Sequence, residues 1–195
     1  MLLGVLRVVV LVSGSGTLLQ SLIDATADPS YGVEIVAVGS DRTKAYGLVR
    51  ARDAGIPTFC LPYRKGDDRA AWDAELTEQV AAHEPDLVVS AGFMKLVGEA
   101  FLGRFAGRMV NTHPALLPAF PGMYGVRDAL AYGVRVTGAT LFEVDAGVDS
   151  GRIIDQRAVP VHDDDSEETL HERVKVEERE MLIDHLRRLA SGRFS

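Results

Sequence analysis

The chain has 195 residues, 47% of them hydrophobic and 25% charged, which suits one soluble globular domain with a substantial core. Its net charge of -7 argues against a nucleic-acid partner, which needs a basic face, yet leaves room for an anionic small molecule held by local amides and cations. Cys60 is the only cysteine, so no internal disulfide or thiolate cluster can form; no apolar run is long enough for a membrane span, no signal peptide is legible, and a cytoplasmic location is expected.

Residues 6–12 (LRVVVLV) form a β-branched run of the kind buried on both faces of a parallel sheet. The run passes directly into Ser13-Gly14-Ser15-Gly16-Thr17, and a helix is predicted over residues 18–27. Strand, glycine-rich turn and helix together aim backbone N–H groups and a helix N-terminus at an anion. Only two of the three glycines of a dinucleotide fingerprint are present and no P-loop lysine follows. A simple phosphate cradle therefore reads better than a dinucleotide site, with a plain tight turn as the alternative.

A second strand is predicted over residues 34–39 and a helix over 43–54, stopped by Gly55 and Pro57. A short strand follows at 58–61, and Asp67-Asp68-Arg69 opens a longer helix to about His83. Pro85 resets the chain before a strand at 86–90. Strands alternating with helices predict an α/β fold with a doubly wound, mostly parallel sheet flanked by helices. Right-handed crossovers put the loops after the strands on one edge, so residues 13–17, 91–97 and 111–122 should converge.

Residues 91–95 are glycine-hinged and apolar, fitting either a pocket for a flat ring or a helix entry. A fifth strand is expected at 108–111, a helix at 124–132 ended by Gly133, and a strand at 134–144. The polar glycine loop 145–151, a strand at 152–161 and a final helix over 166–189 complete the chain. Cys60 and Trp72 read as core residues, Asp163–Asp165 as a surface loop, and His83, His162, His171 and His185 as solvated.

The most suggestive stretch is Asn111-Thr112-His113-Pro114, continuing to Pro121-Gly122. Its three prolines exclude a regular helix or central strand, and strand alternation lets Asn111 and His113 point the same way. A carboxamide can donate to a developing oxyanion, and a histidine can move a proton in the same step. A carboxylate such as Asp149 would favour the imidazolium and orient it. No serine or cysteine sits in a nucleophile motif, which favours direct transfer between two bound substrates. On residue type alone, His113 as a loop brace and Asp149 as a turn former stay open.

In order, SGSGTLLQ, AGFMKLV, NTHPALLPAFPG and VDAGVDSG resemble the phosphoribosylglycinamide formyltransferases, the folate-dependent transformylases of glycinamide ribonucleotide in purine synthesis. The resemblance runs from Val8 to about Leu189. It implies a single formyltransferase domain over residues 1–195, with a Rossmann-like ribonucleotide-phosphate half (1–100) and a catalytic and folate-side half (101–195). By the same resemblance Asn111 steadies the oxyanion, His113 is the general acid and Asp149 holds His113 toward its charged form. Gly14, Ser15, Gly16, Thr17, Leu18, Lys175 and Glu178 would bind the ribonucleotide. Arg69, Met94, Lys95, Leu96 and Val97, together with Asn111, would bind folate. The co-substrate is 10-formyltetrahydrofolate, no metal is expected, and a homodimer is the one assembly suggested.

Several positions depart from the family pattern. Leu18 stands where asparagine is common, so only its backbone N–H would serve phosphate. Tyr124 and Phe142 replace frequent histidines, Lys95 a usual arginine and Arg152 a usual proline. The chain stops at Ser195, short of a C-terminal hairpin typical of the family, a difference expected to leave the chemistry untouched. Two alternatives compete: a formyltransferase acting on an amino sugar nucleotide or initiator tRNA, and a non-catalytic nucleotide-binding module. The length and acidic charge speak against the tRNA enzyme, and Asn111-Thr112-His113 against the module.

Overall fold

A computed structural model describes residues 4–192. Seven strands form one sheet: β1 (Leu6–Val12), β2 (Val33–Ser40), β3 (Thr58–Cys60), β4 (Leu87–Ser90), β5 (Met109–His113), β6 (Val136–Glu143) and β7 (Ile153–Pro160). Six α-helices connect or follow them: α1 (Thr17–Thr26), α2 (Tyr46–Asp53), α3 (Arg69–Ala81), α4 (Glu99–Phe105), α5 (Gly125–Tyr132) and α6 (Glu167–Ala190). The strand order is β3-β2-β1-β4-β5-β6-β7. Strands β1 to β5 run parallel, β6 is antiparallel to β5, and β7 is antiparallel to β6.

Alternate residues of β1 explain the layering. Val8, Val10 and Val12 pack with Leu19 and Leu22 of α1, Leu48 of α2, Val126 of α5, and Leu170, Val174 and Met181 of α6. Val9 and Leu11 face the other way, onto Trp72, Leu76 and Val80 of α3 and Phe101 and Phe105 of α4. Burial on both faces is what the β-branched run predicts. The strand order reverses between β1 and β4, and such a switch point opens a crevice at the strands' C-terminal ends.

Most predicted elements form with ends shifted by a few residues. The second helix starts at Tyr46, because residues 43–45 belong to the preceding turn. Ser166 is the N-cap of the last helix, with Thr169 N donating to its Oγ at 3.1 Å in a capping box. Helix α4 was not foreseen. It is seven residues long and takes its N-terminal cap from another helix: Asp73 of α3 accepts from Gly98 N at 2.5 Å and Phe101 N at 3.1 Å.

The solvated reading of the histidines is corrected at three places. His185 is buried on α6, His83 stacks on Phe59 with centroids 5.8 Å apart, and His171 lines the main cavity; His162 is exposed as expected. The acidic run is more than a surface loop, since Asp165 pairs with Arg173 at 2.5 Å with its side chain 3% exposed. Trp72 is core, its indole N–H donating to Leu61 O at 3.1 Å, and Cys60 packs at the core margin. Among the described residues no helix is long and apolar enough to cross a membrane.

Candidate active site

A cavity of about 560 Å³ opens at the C-terminal edge of the sheet. Residues 13–18, 90–97 and 111–114 all line it, so the three loops predicted to converge do so. Arg42, Met109, Gly122, Met123, Phe142, residues 144–145 and 147–149, and His171, Lys175, Glu178 and Arg179 of α6 complete the wall.

The glycine loop takes its shape from two close approaches. Gly16 has φ +69°, and a Cβ there would stand 2.6 Å from Gly47 Cα. Glycine is therefore required by both conformation and space. Gly47 N donates to Gly14 O at 3.1 Å, and Arg50 Nε donates to Ser15 O at 2.8 Å. Helix α1 begins with no side-chain cap and no acidic residue in its first turn, leaving its N–H groups open toward the cavity.

Ser13 ties this loop to the next one. Its hydroxyl donates to the buried Asp41 carboxylate and accepts from Met94 N at 2.8 Å, while Ser13 N donates to Gly92 O at 3.1 Å. Met94 and Leu96 are exposed beyond that point, and Phe93 and Val97 are buried beneath them. Lys95 Nζ sits 5.1 Å from the Tyr63 ring centroid. Arg69 is not among the cavity-lining residues; its guanidinium covers Tyr63 and Trp72 at 5.0 and 4.7 Å.

At the floor, β5 continues as far as His113, so Asn111 and His113 share one face of the strand as the alternation predicts. His113 is buried between two oxygen atoms. Nε2 lies 2.7 Å from Phe120 O, and Nδ1 lies 3.4 Å from Asp149 Oδ2. A carbonyl only accepts, so Nε2 donates to Phe120 O, and Nδ1 faces the Asp149 carboxylate. The two residues that supply these oxygens are non-glycine residues at positive φ, Phe120 at 53° and Asp149 at 51°. Strain of this kind persists only where the surroundings impose it. Asp149 Oδ2 also accepts from Gly122 N at 2.7 Å, closing the proline loop over the histidine.

Strands β6 and β7 brace that loop from below. Thr140, fully buried, donates to Ala115 O at 2.7 Å and accepts from Leu117 N at 3.0 Å. Gln156 Nε2 reaches Leu117 O at 2.9 Å and Thr140 Oγ1 at 3.0 Å. Gly125 matters for the same contact: a Cβ there would stand 3.0 Å from His113 Nε2 and 3.2 Å from Phe120 O.

Thr112, between the two key residues, lines the cavity together with Glu178 of α6. Burial pushes the Glu178 carboxyl up to about 7, against the opposing pull of Thr112, Lys175 and Arg179. Burial, then Lys175, lowers the pKa of His171 on the same helix face. Lys175 Nζ pairs with Glu172 at 2.6 Å.

Of the predicted site residues, Gly14, Ser15, Gly16, Thr17, Leu18, Met94, Lys95, Leu96, Val97, Asn111, His113, Asp149, Lys175 and Glu178 line one cavity; Arg69 does not. Of the departures, Phe142 lines the cavity. Tyr124 lies outside it under the Arg127 guanidinium at 3.7 Å, and Arg152 pairs with Glu143. Sequence reasoning missed the braces Ser13, Asp41, Arg50, Thr140 and Gln156, and the lining cation Arg42. Gly47, one residue into a helix, was the visible hint that something approaches there closely.

A cavity with two walls, a carboxamide and a carboxylate-supported histidine at its floor is the site of a group-transfer enzyme. The chain belongs to the formyl transferase family, whose sequence model matches residues 6–186. Within that family its relatives include phosphoribosylglycinamide formyltransferases. It is 56% identical over 185 residues to the one from Mycobacterium tuberculosis (strain ATCC 25618 / H37Rv), covering 95% of this chain and 85% of that one. Against the Escherichia coli (strain K12) enzyme the identity is 41% over 173 residues, covering 89% and 82%. The crystal structure of glycinamide ribonucleotide transformylase 1 from Symbiobacterium toebii superposes with a TM-score of 0.93 at 44% identity, covering 97% of this chain and 90% of that one.

Proposed function

We propose that the protein transfers the formyl group of 10-formyltetrahydrofolate to the amine of glycinamide ribonucleotide, giving formylglycinamide ribonucleotide in purine synthesis. The observation that carries this reading is the position of Asn111, His113 and Asp149, at the floor where the glycine-loop wall meets the Met94–Val97 wall. The ribonucleotide phosphate rests on the open N–H groups of residues 14–18, with Lys175 and Glu178 contacting the same substrate from α6. The folate ring lies along Met94–Val97, whose exposed apolar side chains suit a flat heterocycle. Arg69, outside the cavity on Tyr63, is left for the acidic tail beyond the ring. A division at residue 100 does not separate the two sides, since Met94–Val97 of the folate side precede it and α6 of the ribonucleotide side follows it.

The acceptor amine attacks the formyl carbon directly. Its carbonyl oxygen becomes the oxyanion of a tetrahedral intermediate, to which the Asn111 carboxamide donates. Collapse breaks the bond from carbon to the folate nitrogen, and that nitrogen takes up the proton the amine gives up. His113, beside Asp149 and the Phe120 carbonyl, relays that proton, giving one to the leaving nitrogen as it recovers one from the amine. Because the two substrates react with each other, the protein needs no covalent intermediate.

An acceptor screen tests the assignment. The protein is incubated with 10-formyltetrahydrofolate and, separately, glycinamide ribonucleotide, an amino sugar nucleotide or no acceptor, with tetrahydrofolate release as the readout. Release dependent on glycinamide ribonucleotide is expected. Release with the amino sugar alone, or with no acceptor, would refute the substrate.

A further inference from the structure

Arg42 lines the cavity and has no part in the catalytic set. It stands in the connection between β2 and α2, which the sheet places against the glycine loop. Ser40 ends β2 in register with Val12, Gly47 N donates to Gly14 O at 3.1 Å, and Gly47 Cα abuts Gly16. The Arg42 backbone is fixed. Its N–H donates to Ser40 Oγ at 3.0 Å, and its carbonyl accepts from that hydroxyl at 3.1 Å and from Ala45 N at 3.1 Å.

The guanidinium is held far less tightly than this backbone. Its paired carboxylate is Asp41, 3.8 Å from Nε, and that carboxylate is already engaged by the Ser13 hydroxyl. The Arg42 side chain is 59% exposed, so its terminal nitrogens keep their donors for a ligand. Of the neighbouring cations, Arg50 is committed to Ser15 O and Gln20 Oε1 and Lys175 to Glu172, while Arg179 lines the cavity from α6, next in the chain to Glu178. A guanidinium fork matches phosphate oxygens two at a time, which a backbone cradle alone does not provide. Leu18 adds no polar side chain at the start of α1, so the cradle has only the Ser15 and Thr17 hydroxyls as side-chain donors and no cation of its own.

We propose that Arg42 is the side-chain anchor of the ribonucleotide phosphate, reaching across the glycine loop from the β2–α2 connection; this rests on the function proposed above. Steady-state formyl transfer is measured for the wild type, Arg42→Gln and Arg42→Lys, with glycinamide ribonucleotide and with its dephosphorylated riboside. Wild-type turnover of the ribonucleotide tests the underlying reading by itself. In Arg42→Gln the ribonucleotide KM should rise about 10- to 100-fold, with kcat and the folate KM within about twofold of wild type. The riboside kcat/KM should stay unchanged, inorganic phosphate should weaken as a competitor in the same ratio, and Arg42→Lys should recover part of the loss. An unchanged ribonucleotide KM in Arg42→Gln, or an equal loss with the riboside, would overturn the assignment. Arg42→Lys, judged by the same two criteria at intermediate size, decides the matter if Arg42→Gln does not fold.

Discussion

The glycine loop at residues 13–17 owes its shape to side chains that are absent, whereas the proline loop at 111–122 owes its shape to side chains that reach in from elsewhere. Gly16 and Gly47 touch backbone to backbone, and the resulting turn leaves N–H groups facing the cavity. The proline loop is held by Thr140, Gln156 and Asp149, from β6, β7 and the loop between them. An anion cradle needs bare backbone brought close. A proton-carrying histidine needs its ring oriented by fixed oxygens. The two regions therefore break in opposite ways, one by adding a methyl and the other by removing a hydroxyl.

The largest effect on stability is expected from Gly16→Ala. The new Cβ meets Gly47 Cα at 2.6 Å in a left-handed backbone. Together these should cost roughly 2–5 kcal/mol, read by chemical denaturation. Ribonucleotide affinity should fall while folate affinity stays. A stable variant with normal ribonucleotide binding would remove the close approach from the account.

Thr140→Val should come next, at about 1–3 kcal/mol, since it strands Ala115 O and Leu117 N in a buried place. Here kcat should fall with ribonucleotide affinity preserved, and Thr140→Ser should restore most of both losses. Equal damage to ribonucleotide binding would show that the two loops are not separable.

The third effect concerns pH. Burial holds the Glu178 carboxyl at about 7 in the native state, against 4.5 ordinarily. Between those values the native protein binds the extra proton, so stability falls as pH rises through the window. Glu178→Gln should flatten the dependence of the melting temperature on pH there. A variant with the wild-type slope would place that proton on another group.

Much of this arrangement is legible in the sequence, for identifiable reasons. The run Leu6–Val12 can only be a strand buried on both faces, and a glycine-rich turn before a helix has few uses. Asn111 and His113 stand out because strand alternation is a local rule. The braces do not stand out, because Thr140 meets Leu117 through the pairing of β6 with β5, which fixes His113 opposite Thr140. Helix α4 was hidden because seven residues give too little periodicity, and its cap comes from Asp73 in another helix. His185 looks solvated among charged neighbours; only the docking of α6 on the sheet turns it inward. The antiparallel direction of β7 had a readable sign: the loop 145–151 is too short to carry a crossover helix.

The central claim is that His113, set between Phe120 O and Asp149, carries the proton while the two walls of the cavity bind the substrates. The direct measurement is single-turnover formyl transfer by His113→Gln and Asp149→Asn, with equilibrium affinities for both substrates measured on the same preparations. Transfer should slow by roughly 10²- to 10⁴-fold, with both affinities within a few-fold of wild type. Transfer near the wild-type rate in either variant would contradict it.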